Sequence, residues 1–149
     1  MKLRIKRFNK NIPLPRYEKM AAGFDFYLPK RVTFNPGETR ALDCNVAMEI
    51  PEGYFLLIAP RSTTFSRFGI IMPHSIGIID PMYRGDSNEL VLLFHNVSKK
   101  KAIVPKGAKI AQGIFMKYEK AEFQEVKKLN KPKRAKWNIK VKNKYRMGN

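Results

Sequence analysis

The residues best suited to chemistry lie at 77–86, where one carboxylate, Asp80, follows a short apolar run and precedes a proline. Ile78 and Ile79 favour a strand, and a proline ends or borders a strand. The sequence therefore predicts that Asp80 lies at a strand end with its carboxylate facing a cleft. Such a carboxylate can act as a general base toward water. The alternative is an Asx-turn that only closes the chain.

Three other stretches have residue types that suit a phosphate ligand or the metal ion that accompanies it. Asp25 follows Gly23 by two positions, and glycine lets backbone approach a ligand closely. Arg61, Ser62 and Thr63 begin the one segment with a helical pattern, Ser62–Phe68, with Ser62 as the expected N-cap. Free N–H groups at a helix start and an arginine both bind phosphate. Gln112 stands in an apolar strand pattern, where a buried amide needs partners.

The elements around these residues are short. Apolar segments rich in β-branched and aromatic residues alternate with turn signals at 36–37, 51–53 and 105–107. Only residues 62–68 show a helical stripe. This pattern predicts an all-β barrel or sandwich with one short helix. The composition changes near Val126, so we predict a domain at 1–126 and a basic tail at 127–149.

The charge is the most unusual bulk property, with a formal net charge of +18. Residues 126–149 contain ten Lys or Arg and no acid, while the other 125 residues hold the remaining twenty bases and all twelve acids. Such a tail attracts polyanions such as nucleotide phosphates or nucleic acid. Trp137 and Tyr145 are its only aromatic residues, which is few for stacking on single strands. A solvated arm, a phosphate-binding arm and a nucleic-acid arm all remain open.

Composition also excludes several classes of protein. No apolar run approaches the ~20 residues of a membrane span, and the basic start lacks the apolar stretch of a signal peptide. The single Cys44 excludes an internal disulfide or a cysteine zinc site, and we expect it to be buried. The sequence therefore predicts an intracellular, cytoplasmic protein without membrane contact.

Four of these stretches, in this order and at these distances, resemble the first four sequence motifs of the trimeric dUTP pyrophosphatases (dUTPases). They are residues 22–25, 59–63, 77–86 and 107–112, and the resemblance extends from Gly23 to about Val126. The resemblance implies a jelly-roll-like β-barrel that assembles as a homotrimer with sites between subunits. It also implies Mg²⁺-dependent hydrolysis of dUTP to dUMP and pyrophosphate.

The resemblance assigns roles to individual residues. Asp80 is implied as the base that activates the attacking water, with Gln112 beside that water and the phosphates. Asp25 is implied to hold Mg²⁺ through water. Magnesium keeps several waters, so one carboxylate can suffice. The phosphate chain is assigned to Arg61, Ser62 and Thr63.

The same resemblance implies how the nucleoside is recognised. Tyr83 is expected to pack under the deoxyribose and exclude a 2′-hydroxyl. A hairpin from about Ile70 to Tyr83, including Gly77 and Ile79, is expected to hold the base through backbone groups. His74 stands where the family usually has asparagine. It is interpreted either as a base contact or as an exposed loop residue.

The chain departs from the family pattern at three other places. Ala108 and Lys109 replace the usual acidic residue and arginine before Ile-Ala-Gln. The glycine-rich fifth motif is absent; Arg134 and Trp137 lie where its arginine and aromatic ring are expected, and otherwise belong to a generic basic tail. The loop after Asp80 is about three residues longer than in the commonest members, as in some bacterial and phage dUTPases.

Two other functions compete with this interpretation. A dCTP deaminase shares the fold but needs a glutamate three residues before Asn96, where this chain has Leu93. The spacing from Arg61 to Gly69 also fits dUTPases better. A non-catalytic, dUTPase-like nucleotide- or nucleic-acid-binding regulator is favoured by the lost fifth motif and the high charge.

Overall fold

The computed structural model describes residues 1–130, and within this range the chain forms twelve short strands and one helix. The strands are Arg4–Arg7 (β1), Arg16–Tyr17 (β2), Phe24–Asp25 (β3), Val32–Phe34 (β4), Thr39–Asp43 (β5), Val46–Glu49 (β6), Tyr54–Pro60 (β7), Ile70–Ile71 (β8), Gly77–Ile79 (β9), Val91–Asn96 (β10), Ala102–Val104 (β11) and Ala111–Lys117 (β12). The helix, α1, is Ser62–Phe68. The predicted all-β class and the position of its one short helix are confirmed.

The strands form four antiparallel sheets. The largest has the order β2-β3-β12-β7-β9, and the others are β5-β10-β8, β1-β6 and β4-β11. Strand pairing within residues 1–130 therefore does not close the sheets into one continuous barrel. The chain changes sheet at Asn45, which has φ 67° and lies between β5 and β6. This left-handed residue ends pairing with β10 and directs the chain to β1.

Three turns appear where the Pro and Gly signals predict them. Gly37, Gly53 and Gly107 have φ of 74°, 77° and 79°, and each ends such a turn. This backbone region is strained for residues with a Cβ, so glycine is the suitable residue. The turns separate β4 from β5, β6 from β7, and β11 from β12, which sets the lengths of those strands.

Aromatic and aliphatic side chains from all four sheets fill the core. Phe34, Leu56 and Phe94 are fully buried, and Cys44 is buried as expected. A Cβ at Gly113 would lie 2.6 Å from the Phe24 ring, so this ring packs directly on the β12 backbone. The contact fixes β3 against β12 and thereby holds their neighbouring polar residues in place.

Residues Met1–Glu119 form one compact unit. The described part of the second unit, residues 120–130, contains neither helix nor strand. The predicted domain boundary after Val126 stays a prediction. Within residues 1–130, the single helix is too short to cross a membrane.

Candidate active site

Three of the predicted motifs meet at one end of the largest sheet. Asp25 on β3 pairs with Gln112 on β12, and Gln112 pairs with Ala59 on β7. Because β7 ends at Pro60, Arg61 leaves the sheet beside this row. A cavity of about 180 Å³ opens here. Its lining includes Glu18, Gly23, Asp25, Arg61, Ser62 and Gln112.

The start of α1 is attached to the backbone carbonyl of Ile110, the residue directly before β12. The Arg61 N–H donates to it at 3.1 Å, and the buried Thr64 hydroxyl donates at 2.8 Å. The predicted N-cap is wrong: Arg61 is the N-cap, with extended backbone and no side-chain capping bond, and Ser62 is the first helical residue. Thr64 anchors the helix start in place of a cap, which leaves the exposed Ser62 and Thr63 hydroxyls uninvolved in capping.

Two cations flank the buried Asp25, whose side chain is 6% exposed. Arg61 contacts its Oδ1, and Lys109 Nζ lies 3.2 Å from its Oδ2. Lys109 also pairs with Glu18 Oε1 at 2.5 Å. Lys109 lowers the pKa of the Glu18 carboxylate, and Glu18, followed by Asp25, raises the pKa of Lys109. Two carboxylates thus balance two cations before any ligand binds.

The residues of this cavity fit a magnesium ion held largely by water. Asp25 Oδ2 is buried, and its one close polar neighbour within residues 1–130 is Lys109 Nζ at 3.2 Å, an ion pair that leaves it without a full hydrogen-bond partner. Such an oxygen can accept from a metal-bound water. No cluster of three or more His, Cys, Asp or Glu capable of holding a metal occurs in the described range. The donor set therefore suits an ion coordinated mainly by water and ligand oxygens.

Gly23 allows Gln112 to face the same cavity. A Cβ at position 23 would lie 3.1 Å from Gln112 Oε1 and 3.3 Å from the Gly113 carbonyl oxygen. Both distances are tighter than ordinary van der Waals contact. The absence of a Cβ at Gly23 therefore leaves the space that the side-chain amide of Gln112 occupies.

Asp80 lies one residue beyond the end of β9, as its sequence context predicts. Its Oδ1 accepts from the Met82 N–H at 2.8 Å, and its carbonyl accepts from the Tyr83 N–H at 3.2 Å. The Asx-turn is therefore present. It uses one carboxylate oxygen of an exposed residue, so a capping role and a catalytic role are compatible.

The nucleoside-contact candidates lie around β9. Gly77 and Ile79 are its half-buried ends, and the Tyr83 hydroxyl donates to the Glu89 carbonyl at 2.9 Å. His74 is exposed, and its Nδ1 lies 2.6 Å from the Ile76 carbonyl oxygen. Because a carbonyl only accepts, Nδ1 must carry the proton. In the neutral ring, Nε2 is then an acceptor.

The predicted hairpin from Ile70 to Tyr83 is wrong in its pairing. β8 pairs with β10 and β9 pairs with β7, so the two strands belong to different sheets. The turn at 72–76 includes Ser75 with φ 66°. Each short strand is hydrogen-bonded to a longer neighbour instead of to the other, and the segment is a crossover between sheets.

Within one chain, Asp80 is distant from the cavity at Asp25. The residue before Asp80, Ile79, pairs with Leu56, whereas Asp25 is in register with Ala59 through Gln112. Ile79 is three residues along the sheet and three strands across it from Asp25, or about 10 Å by about 14 Å at standard spacings, and Asp80 follows on the side away from Asp25. The predicted residues therefore form two groups. The cavity group is Asp25, Arg61, Ser62 and Gln112, and the β9 group is Gly77, Ile79, Asp80 and Tyr83. Arg134 and Trp137 lie outside the described residues.

Comparison with known proteins gives the family. The dUTPase family model matches residues 9–141. The chain belongs to the dUTPase family. Among the similar dUTPases is the deoxyuridine 5′-triphosphate nucleotidohydrolase of Nautilia profundicola, 36% identical over 136 residues, or 91% of this chain and 94% of that protein. The enzyme of the same name from Finegoldia magna is 35% identical and covers 89% of this chain and 93% of its own length.

Solved dUTPase structures share the fold. The Staphylococcus bacteriophage 80alpha dUTPase matches with a TM-score of 0.77 at 24% identity, over 87% of this chain and 99% of that one. A mutant dUTPase of phage phi11 of S. aureus, described with a structural Mg(II) ion, also has a TM-score of 0.77, at 23% identity over 88% and 100%. The resemblance to this family is thus confirmed.

Sequence reasoning did not identify two residues of the candidate site described above. Glu18 lies in a polar segment without a diagnostic spacing, and its partner Lys109 is 91 positions away. Thr64 follows the predicted helix start, and its burial and its bond to the Ile110 carbonyl, 46 positions away, have no local sequence signal. Lys109 was visible only as a departure from the family pattern.

Proposed function

We propose that this chain hydrolyses dUTP to dUMP and pyrophosphate with Mg²⁺ as its cofactor. The observation that best supports this is the cavity lined by Asp25, Arg61, Ser62 and Gln112 in a member of the dUTPase family. These residue types suit a triphosphate, because they combine cationic and hydroxyl donors with a buried carboxylate. Relatives named for dUTP hydrolysis support the same substrate.

The residues divide the chemistry between them. Arg61, Ser62 and Thr63 hold the phosphate chain, and bound Mg²⁺ would neutralise phosphate oxygens, with Asp25 oriented toward it through water. Asp80 accepts a proton from water as the water oxygen bonds to the α-phosphorus. The bond from that phosphorus to the bridging oxygen breaks, and pyrophosphate leaves. Gln112 orients the water.

Selection of the nucleoside is assigned to the residues at and after β9. The Tyr83 ring packs under the deoxyribose and leaves no room for a 2′-hydroxyl. Backbone groups of Gly77 and Ile79 hold the base. A neutral His74 presents Nε2 as an acceptor, which suits the N3–H of uracil, since N3 of cytosine is itself an acceptor.

The separation of the two groups within one chain supports a homotrimer with shared sites. Asp80 directly follows Ile79, which is three residues and three strands away from Asp25, and this separation is too long for both side chains to act at one site in the same subunit. In a cyclic trimer, each site takes one group from one subunit and the other group from its neighbour.

The direct test is pyrophosphate release by the full-length protein. We expect release from dUTP with MgCl₂, loss of release on addition of EDTA, and recovery with excess Mg²⁺. UTP and dCTP should be poor substrates. Absence of release from dUTP, together with retained nucleotide binding, would favour the non-catalytic alternative. Ammonia release from dCTP would favour a deaminase.

Replacing Tyr83 by leucine tests sugar selection. A smaller side chain opens space for the 2′-hydroxyl, so the ratio of kcat/KM for dUTP to that for UTP should fall by about tenfold or more. Steady-state kinetics with both nucleotides measures the ratio. An unchanged ratio in a folded variant would assign discrimination to other residues.

Removing the basic tail after Val126 tests residues 127–149. We propose that this tail, with Arg134 as the best single candidate and Trp137 over the base, assists binding of the triphosphate. Truncation and Arg134→Gln should both weaken dUTP turnover. The intact enzyme should lose more activity with rising salt than the truncated one, since exposed charges are screened beyond about 8–10 Å at physiological ionic strength.

The rival role for this tail is nucleic-acid binding. It predicts salt-sensitive DNA or RNA binding that disappears on truncation while dUTP hydrolysis is untouched. Filter binding and pyrophosphate release, measured on the same truncated protein, separate the two roles. Full hydrolysis without the tail contradicts the catalytic one.

A further inference from the structure

Asn45 connects three separate segments through a partly buried set of hydrogen bonds. It is 2% exposed, and its backbone is left-handed. Its side-chain oxygen accepts from the Asn9 N–H at 2.7 Å, and its side-chain nitrogen donates to the Asn9 carbonyl at 3.0 Å. Its carbonyl accepts from the Phe8 N–H at 3.1 Å. Asn45 is thus a rigid point that is tied to the amino-terminal segment.

The backbone N–H of Asn45 anchors the side chain of Glu89. The Asn45 N–H donates to Glu89 Oε1 at 2.5 Å, and the next residue, Leu90, donates its N–H to the Val46 carbonyl at 2.8 Å. Residue 89 is therefore held both by its side chain and by the neighbouring backbone. Its own carbonyl oxygen has a defined position.

That carbonyl oxygen is the acceptor for the Tyr83 hydroxyl, at 2.9 Å. Tyr83 is otherwise 39% exposed, and residues 84–88 between it and Glu89 form the enlarged loop. A longer loop has more conformations to restrict, so a fixed point at its far end limits where the ring can lie. Lys6 holds the same loop at the Asp86 carbonyl, at 2.8 Å.

We propose that Glu89 is a positioning residue for Tyr83 and, through it, a determinant of selection between deoxyribose and ribose. The Glu89 side chain accepts from Asn45, and this fixes the carbonyl to which Tyr83 donates. The ring then occupies the space that a 2′-hydroxyl would need. The inference rests on the proposed function, in which Tyr83 is the wall of the sugar pocket.

One oxygen of the Glu89 carboxylate is the hydrogen-bond acceptor for the Asn45 N–H. Burial raises the pKa of Glu89, with nearby Asp43 raising it further, while the Asn45 N–H and Lys30 act in the opposite direction. Removing the charge while keeping the oxygen is therefore compatible with the fold. Glutamine at position 89 provides this matched replacement.

The experiment compares four variants of the full-length protein by kcat/KM for dUTP and for UTP. Glu89→Ala removes the acceptor, Glu89→Gln keeps it, and Tyr83→Phe keeps the ring but removes its donor. Glu52→Ala is the control, since Glu52 is exposed in the turn before β7. Glu89→Ala and Tyr83→Phe should each lower the ratio of kcat/KM for dUTP to kcat/KM for UTP by about threefold to tenfold, which is the effect of one hydrogen bond.

Glutamine at position 89 should restore the ratio to within about twofold of the wild type, and the control should leave it unchanged. The double variant of Glu89→Ala and Tyr83→Phe should be no worse than either single variant, because both interrupt one series of contacts. A change in the ratio of kcat/KM for dUTP to that for UTP, with this non-additivity, is a result that a purely structural role would not produce.

Two outcomes overturn the inference: a folded Glu89→Ala variant with the wild-type ratio, which includes equal losses for both nucleotides, or a glutamine variant as impaired as alanine. Thermal unfolding shows whether Glu89→Ala folds. If it does not, Tyr83→Phe decides, and an unchanged ratio there also overturns the inference. Failure of the proposed function is distinguishable, because the wild-type protein would then release no pyrophosphate from dUTP, whereas a different sugar-pocket wall would leave the ratio unchanged in Tyr83→Leu.

Discussion

Replacing Asp80 by asparagine is expected to reduce turnover of dUTP by about 10²–10⁴-fold, the usual contribution of a general base. Nucleotide binding and thermal stability should be retained. Asparagine keeps an oxygen in the position where Asp80 Oδ1 accepts from the Met82 N–H at 2.8 Å, so the turn is preserved and only proton acceptance is lost. Pyrophosphate release, calorimetric binding of a non-hydrolysable dUTP analogue and thermal unfolding measure the three quantities.

An alanine variant at the same position separates catalysis from turn capping. Asp80→Ala removes both the base and the turn acceptor, so it should lose turnover and also about 1 kcal/mol of stability. Glu52→Gln, which neutralises an exposed carboxylate elsewhere, is the matched control. If Asp80→Asn is fully active while Asp80→Ala is destabilised, Asp80 only caps the turn and is not the general base.

Mixing two inactive variants is expected to restore activity. Asp80→Asn removes the general base, and Arg61→Ala removes a phosphate ligand from the cavity that the sheet register separates from Asp80 within a chain. After co-refolding in equal amounts, a cyclic trimer should form sites that take an intact Asp80 from one subunit and an intact Arg61 from its neighbour. Random assembly makes about a quarter of the sites complete.

The restored activity is measured as pyrophosphate release from dUTP before and after subunit exchange. Each variant alone, refolded in the same way, is the control and should stay inactive. If Asp80 and Arg61 of one site came from the same subunit, no mixed site would be complete. The mixture would then remain as inactive as its components.

Several parts of this protein are determined locally and could be predicted from the sequence. The helix at Ser62–Phe68 and the end of β9 before Asp80 follow from apolar spacing and proline. The turns at 36–37, 51–53 and 105–107 follow from glycine, which tolerates a positive φ. Each of these features depends on a few adjacent residues, and the four family motifs occur within such stretches.

Strand partners and charge partners were decided only by the tertiary structure. A hairpin was predicted for β8 and β9, yet they pair with β10 and β7. Local patterns predict that a strand forms, but its partner depends on which distant edge offers a ladder of donors and acceptors.

The electrostatics of the candidate site likewise depend on distant contacts. Asp25 is flanked by Arg61 and Lys109, and Lys109 pairs with Glu18, 91 positions away. Net charge and motif spacing indicate that an anionic ligand is bound, but they do not show which carboxylate neutralises which cation. That choice follows from folding, because β3 and β12 are brought together by the packing of Phe24 on Gly113.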